Sequence, residues 1–131
     1  MTDNAQAALD LCRSKTLAYV GTTDADGQSQ VTPVWIDVRD GKPAFNTAVG
    51  RAKERNLRRD PRISIAITDP ENLYRHVEIR GRAVLTEDGA DQFIDDLAKK
   101  YLGQDTYPWR SPTEKRITVL VEPEKFFAMG G

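Results

Sequence analysis

Between Arg51 and Arg62 the chain carries six cationic and two anionic side chains, a local charge of +4 in a sequence whose formal net charge is -1. The run reads Arg51-Ala52-Lys53-Glu54-Arg55-Asn56-Leu57-Arg58-Arg59-Asp60-Pro61-Arg62 and follows Thr47-Ala48-Val49-Gly50. The pattern predicts a strand ending near Thr47, a glycine allowing close backbone approach, and a helix from Gly50 to about Arg59 stopped by Asp60-Pro61. Free N–H groups and the positive dipole end at a helix start are the ingredients of a phosphate site. Lys53 and Asn56 share a helix face, and Arg51 in the first turn can make a bidentate contact. Two plainer readings compete. The run is also what a solvated basic face looks like, with Glu54 and Arg58 as an ordinary i,i+4 pair. Nucleic-acid binding is the other, weakened by the scarcity of interleaved aromatics and by the nearly balanced total charge.

Other chemistry is sparse. The sequence has one cysteine, Cys12, and one histidine, His76. A single chain therefore builds no disulfide framework, thiolate cluster or multi-histidine metal site, so no metal is expected and histidine catalysis has little to work with. Cys12 reads as a buried or tolerated thiol. No apolar run approaches the ~20 residues of a membrane-spanning helix. The polar opening from Met1 to Lys15 lacks a basic leader and an apolar stretch, so the expected location is the cytoplasm, away from membranes and nucleic acid.

The elements that must position the basic turn are mostly strands. All 131 residues are expected to form a single domain, 1–131, with one real core. A helix over about 4–14, capped by Asp3, precedes a strand from Thr16 to Thr23. The turn Asp24-Ala25-Asp26-Gly27 leads to an antiparallel partner with Thr32, Val34, Ile36 and Val38 on one side and Val31, Pro33, Trp35 and Asp37 on the other. Both sides are apolar near the middle, so the strand should be covered on both faces, by the core and by a ligand or second subunit. Pro33 cannot donate to a ladder and marks an edge or bulge there. Asp40-Gly41 is a hairpin signal into a strand over Pro43 to Thr47. Ile63, Ile65 and Ile67 alternate as a strand, and a long strand follows from about Tyr74 to Leu85, with Gly81 as the point where it can coil. Residues 88–101 have the apolar stripe of a helix in Phe93, Ile94, Leu97 and Tyr101. After a loop from Gln104 to Lys115 come the last strands, Ile117, Val119 and Val121, then Phe126 and Phe127. Six or seven strands in meander order give a mainly β fold, a barrel with a few short helices, and exclude a dinucleotide-binding βαβ fold.

Four blocks in this order and spacing carry a resemblance: T-P-V-W-I-D, F-N-T-A-V-G-R-A-K-E-R-N-L-R-R-D-P-R, Y-R-H-V-E-I-R-G-R-A and Y-P-W-R-S-P-T-E-K-R-I. Over Leu17 to Phe127 the chain resembles the flavin/deazaflavin oxidoreductases of the pyridoxamine 5'-phosphate oxidase-like superfamily, in particular the actinobacterial branch that uses coenzyme F420. The resemblance implies a split β-barrel, FMN-binding-like homodimer with two cofactor sites in the subunit interface. It places the phosphate on Arg51, Lys53 and Asn56, with donors nearby from Thr47, Ala48, Val49 and Gly50. It lays the strand backbone at Pro33, Val34 and Trp35 against the tricyclic ring, with Gln30 and Thr32 reaching the ring or ribityl chain. Tyr74, His76 and the Tyr107–Arg110 loop, Trp109 included, border the pocket from the partner subunit.

The activity this implies is hydride transfer between coenzyme F420 and a conjugated organic small molecule. The cofactor carries the difficult chemistry, in keeping with the absence of a visible nucleophile, base and acid set; no catalytic side chain is assigned. FMN in the same site, in an oxidase or flavin-binding protein, is the nearest alternative. A non-enzymatic carrier of F420 is the alternative from another class.

Overall fold

The structure, a computed structural model, describes residues 3–130. Its elements are α1 (Asp3–Arg13), β1 (Leu17–Thr23), β2 (Ser29–Arg39), β3 (Lys42–Ala48), α2 (Ala52–Arg59), β4 (Arg62–Asp69), β5 (Asn72–Thr86), α3 (Ala90–Leu102) and β6 (Arg116–Met129). The six strands close into a barrel in the order β1-β2-β3-β6-β5-β4, and every neighbouring pair is antiparallel. The expected mainly β barrel with short helices is the fold observed.

Alternation along the strands fills the interior, because successive side chains point to opposite faces. Val20, Ile36, Phe45, Ile63, Ile65, Ile67, Val77, Ile79, Ile117, Val119 and Val121 are buried in one cluster, closed by Leu11 and Cys12 of α1 and Leu57 of α2. Each such side chain stabilises the fold by about 1.5–3 kcal/mol through burial. The Cys12 thiol is fully enclosed, and burial pushes its pKa up to about 12, so it sits in the core as a small apolar group. A second cluster of Phe93, Ile94 and Leu97 seats α3 against Ala44 outside the barrel.

Two elements differ in detail from expectation. Asp3 lies inside the first turn of α1 rather than capping it. The two last strands are one continuous β6, because a register shift opposite Arg80/Gly81 takes up the irregularity around Pro123 without ending the ladder. Gly81 permits this. A Cβ there would meet the Glu122 carbonyl oxygen at 2.1 Å, so the strands approach at a distance that only glycine allows.

One irregularity makes the site. The β2–β3 hairpin turns at Asp40-Gly41, both at positive φ (53° and 73°), as a two-residue turn of the primed type requires. Its ladder runs from Arg39↔Lys42 to Ile36↔Phe45 and stops. Residues 29–35 then pair with β1 alone, and Asn46, Thr47 and Ala48 pair with β6 alone. The hairpin has split open, with Pro33, which has no N–H, on one lip.

Candidate functional site

A pocket of about 250 Å³ occupies the opened hairpin. Pro33, Val34 and Trp35 form one lip, Asn46 and Thr47 the other; Arg51 and Lys53 close one end and Tyr107, Trp109 and Arg116 line it further along. These residues come from separate stretches of chain, gathered because α2 starts where β3 ends and the 104–115 loop leads back into β6 beside β3.

The cationic end is built by the turn into α2. Gly50 takes φ 92°, a left-handed conformation that glycine adopts without strain. Its N–H donates to Glu54 Oε1 at 2.9 Å, and the Glu54 carboxylate also receives Arg58. Glu54 is only 5% exposed. The Gly50 N–H and then Arg58 hold its pKa below the ordinary carboxylate value of 4.5. The residue expected to be half of a surface ion pair therefore also locks the turn. Its signal was present in the sequence as a glutamate in the first helical turn, where it can reach back to preceding amides.

Lys53 is half-buried and, among the described residues, has no anionic partner. Burial, and next the neighbouring Arg51 charge, push its pKa below the ordinary 10.5. Arg51 is held by Glu114 at 2.7 Å. The N–H groups of Val49, Gly50 and Arg51 already donate to Lys115 O, Glu54 and Ala48 O, so donors for an anion come from the two side chains and the first-turn amides of α2, which have no intrahelical acceptor.

The aromatic end is a cage. Trp35 stacks on Tyr101 with ring centroids 5.3 Å apart and planes at 7°, while Tyr107 and Trp109 meet it at 6.1 and 6.4 Å. The loop bearing them is pinned by Asp95, which accepts the Tyr107 N–H at 2.8 Å and pairs with Arg110. Arg116, 7% exposed, donates to Asn46 at 2.8 Å and lies over the Tyr107 ring.

Of the residues singled out from sequence, the structure brings Pro33, Val34, Trp35, Thr47, Arg51, Lys53 and Trp109 to this pocket. Ala48, Val49 and Gly50 form the turn behind it. Asn56 points elsewhere: its amide nitrogen donates to Thr22 Oγ1 and Asp24 Oδ1, at 3.1 and 2.8 Å, and its oxygen accepts from Arg59. It ties α2 to the β1–β2 turn. Gln30 meets Thr22 at 3.2 Å in that same polar cluster. Thr32 Oγ1 is buried and has no hydrogen-bond partner among the described residues. Tyr74, 87% exposed, and His76 stand on the outer face of β5, outside the pocket of their own chain. Asn46, Glu54, Glu114 and Arg116 were missed. Asn46 and Arg116 carry no local sequence pattern, since they meet only through β3–β6 pairing.

The family model of pyridoxamine 5'-phosphate oxidase matches residues 1–129, and the chain belongs to that family. Its barrel is the split barrel of flavin- and deazaflavin-type oxidoreductases. No curated protein matches it. Among solved structures, an F420 reductase is 27% identical at TM-score 0.77, over 90% of this chain and 94% of its own. A conserved hypothetical protein from Mycobacterium tuberculosis is 23% identical at TM-score 0.75, covering 98% and 84%. General Stress Protein 26 from Bacillus anthracis shares the fold at 12% identity and TM-score 0.72, covering 98% and 95%.

Proposed function

We propose that the protein is a coenzyme F420-dependent reductase that moves hydride between the deazaflavin and an electron-poor, conjugated organic substrate. One observation carries this reading: Lys53, half-buried, beside Arg51 and without an anionic partner among the described residues, lines a pocket in a hairpin opened along an apolar edge. Two adjacent cations with one carboxylate between them lack a counter-charge, and burial makes that deficit costly. A phosphate supplies it, and a flat ring fits the Pro33–Trp35 edge, whose backbone has no strand on that side. The likeness to a structure named as an F420 reductase favours the deazaflavin over FMN.

When bound, the deazaflavin supplies the hydride chemistry. The chain's own residues bind and orient. Arg51 and Lys53 would hold the phosphate, the Pro33–Trp35 edge would orient the ring, and Tyr107 and Trp109 line the pocket beside it.

A homodimer completes this reading. Tyr19, Val31, Phe127 and Met129 are exposed on the outer sheet face and border one groove with His76. A second copy covering them would carry Tyr74 and His76 toward the other protomer's pocket; a monomer in sedimentation at micromolar concentration would contradict this. Turnover is tested anaerobically, with reduced F420 and a panel of quinones and enones. Reoxidation that requires the protein is expected. Tight binding of F420 without turnover would make the protein a carrier, and purification with bound yellow flavin would make it an FMN protein.

A further inference from the structure

Glu114 sits between two guanidinium groups of the same site. One carboxylate oxygen meets Arg51 at 2.7 Å, and the other accepts from Arg116. Both arginines line the pocket, with Lys53 beside them. Three cations and one carboxylate leave a net charge of +2 in this group, and the carboxylate stands behind the lining, paired with two of the cations that form it. The Glu114 side chain is only 18% exposed, so water screens it less than a surface acid. The hydrogen bond from Arg51, with Arg116 adding to it, holds its pKa below the ordinary 4.5. It is therefore charged throughout the neutral range.

We propose that Glu114 is a specificity residue: its fixed negative charge removes part of the advantage that the cationic pocket gives a doubly charged phosphate monoester over a singly charged phosphodiester. This rests on the phosphate site at Arg51 and Lys53. The distinction separates the two cofactors, because FMN ends in a monoester whereas the phosphate of the deazaflavin is esterified on both sides. Repulsion from one fixed charge scales with the charge of the ligand, so removing Glu114 has a graded signature that a merely structural role does not produce.

The test uses three ligands with the same ring: riboflavin, the monomethyl ester of FMN, and FMN itself. At pH 8 their side-chain charges are about 0, -1 and -2, the second phosphate pKa being about 6. Affinities are read by flavin fluorescence at fixed ionic strength, for wild type, Glu114→Gln, Glu114→Ala and Glu114→Asp. In Glu114→Gln and Glu114→Ala, riboflavin binding should be unchanged, the methyl ester tighter by roughly threefold and FMN by roughly tenfold, the second factor being about the square of the first. Glu114→Asp, which keeps the charge, should retain the wild-type ratios. Equal changes for all three ligands, or none, in whichever neutral variant folds would overturn the inference. A wild-type protein that binds all three equally would remove the phosphate site itself, and this inference with it, before any variant is made.

Discussion

Trp35 lies flat on Tyr101, and the Tyr101 hydroxyl accepts the Ile36 N–H at 3.0 Å while donating to the Thr16 carbonyl at 2.6 Å. β1 begins at Leu17 opposite Trp35, so the Ile36 amide lies just beyond the end of that ladder, and α3 supplies the partner it lacks. Tyr101→Phe keeps the stack and strands both backbone groups. A loss of about 1–3 kcal/mol is expected in denaturant unfolding, with the fold retained.

Lys53 should betray itself through pH. Its pKa lies below the ordinary 10.5 because of burial and then Arg51. Only the ammonium form attracts phosphate, so affinity for FMN should fall as pH rises through the lowered value, below the usual lysine range. Lys53→Arg stays protonated and should give a level profile over the same window. Identical profiles for the two proteins would place the phosphate away from residue 53.

Glu54 is expected to matter for stability in a pH-dependent way. Its folded pKa is depressed by Gly50 and Arg58, so its contribution is complete above the unfolded carboxylate value and disappears as pH falls through the folded one. Glu54→Gln should cost about 1–3 kcal/mol near pH 7. The gap between variant and wild type in thermal unfolding should close as pH is lowered below about 4.

Gly81→Ala should be among the most damaging single changes. The added methyl would lie 2.1 Å from the Glu122 carbonyl oxygen, a backbone atom that cannot turn aside. Destabilisation of about 3 kcal/mol or more is expected, read as a large fall in melting temperature or a failure to fold. A wild-type melting curve would refute the close approach of β5 and β6.

The barrel was legible because its strands alternate: Ile63, Ile65 and Ile67 point inward as their period of two requires. The cation run announced the cationic end of the pocket, and Pro33 announced a free edge. Long-range pairing was not legible. Helical spacing groups Asn56 with Lys53, yet α2 turns Asn56 toward Thr22 and Asp24, residues far away in sequence. Arg116 and Asn46 meet only because β3 and β6 are neighbours in a closed barrel. Glu114 joins them from a loop whose course no periodicity describes.

The most direct test is an equilibrium titration of the purified apo-protein and its Lys53→Ala variant with coenzyme F420 and FMN under identical conditions. Saturable binding of F420 in preference to FMN is expected, weakened by roughly tenfold to a hundredfold in the variant, the worth of one hydrogen bond to a charged group. Failure of the wild type to bind either molecule, or equal F420 affinity in the two proteins, would contradict the account.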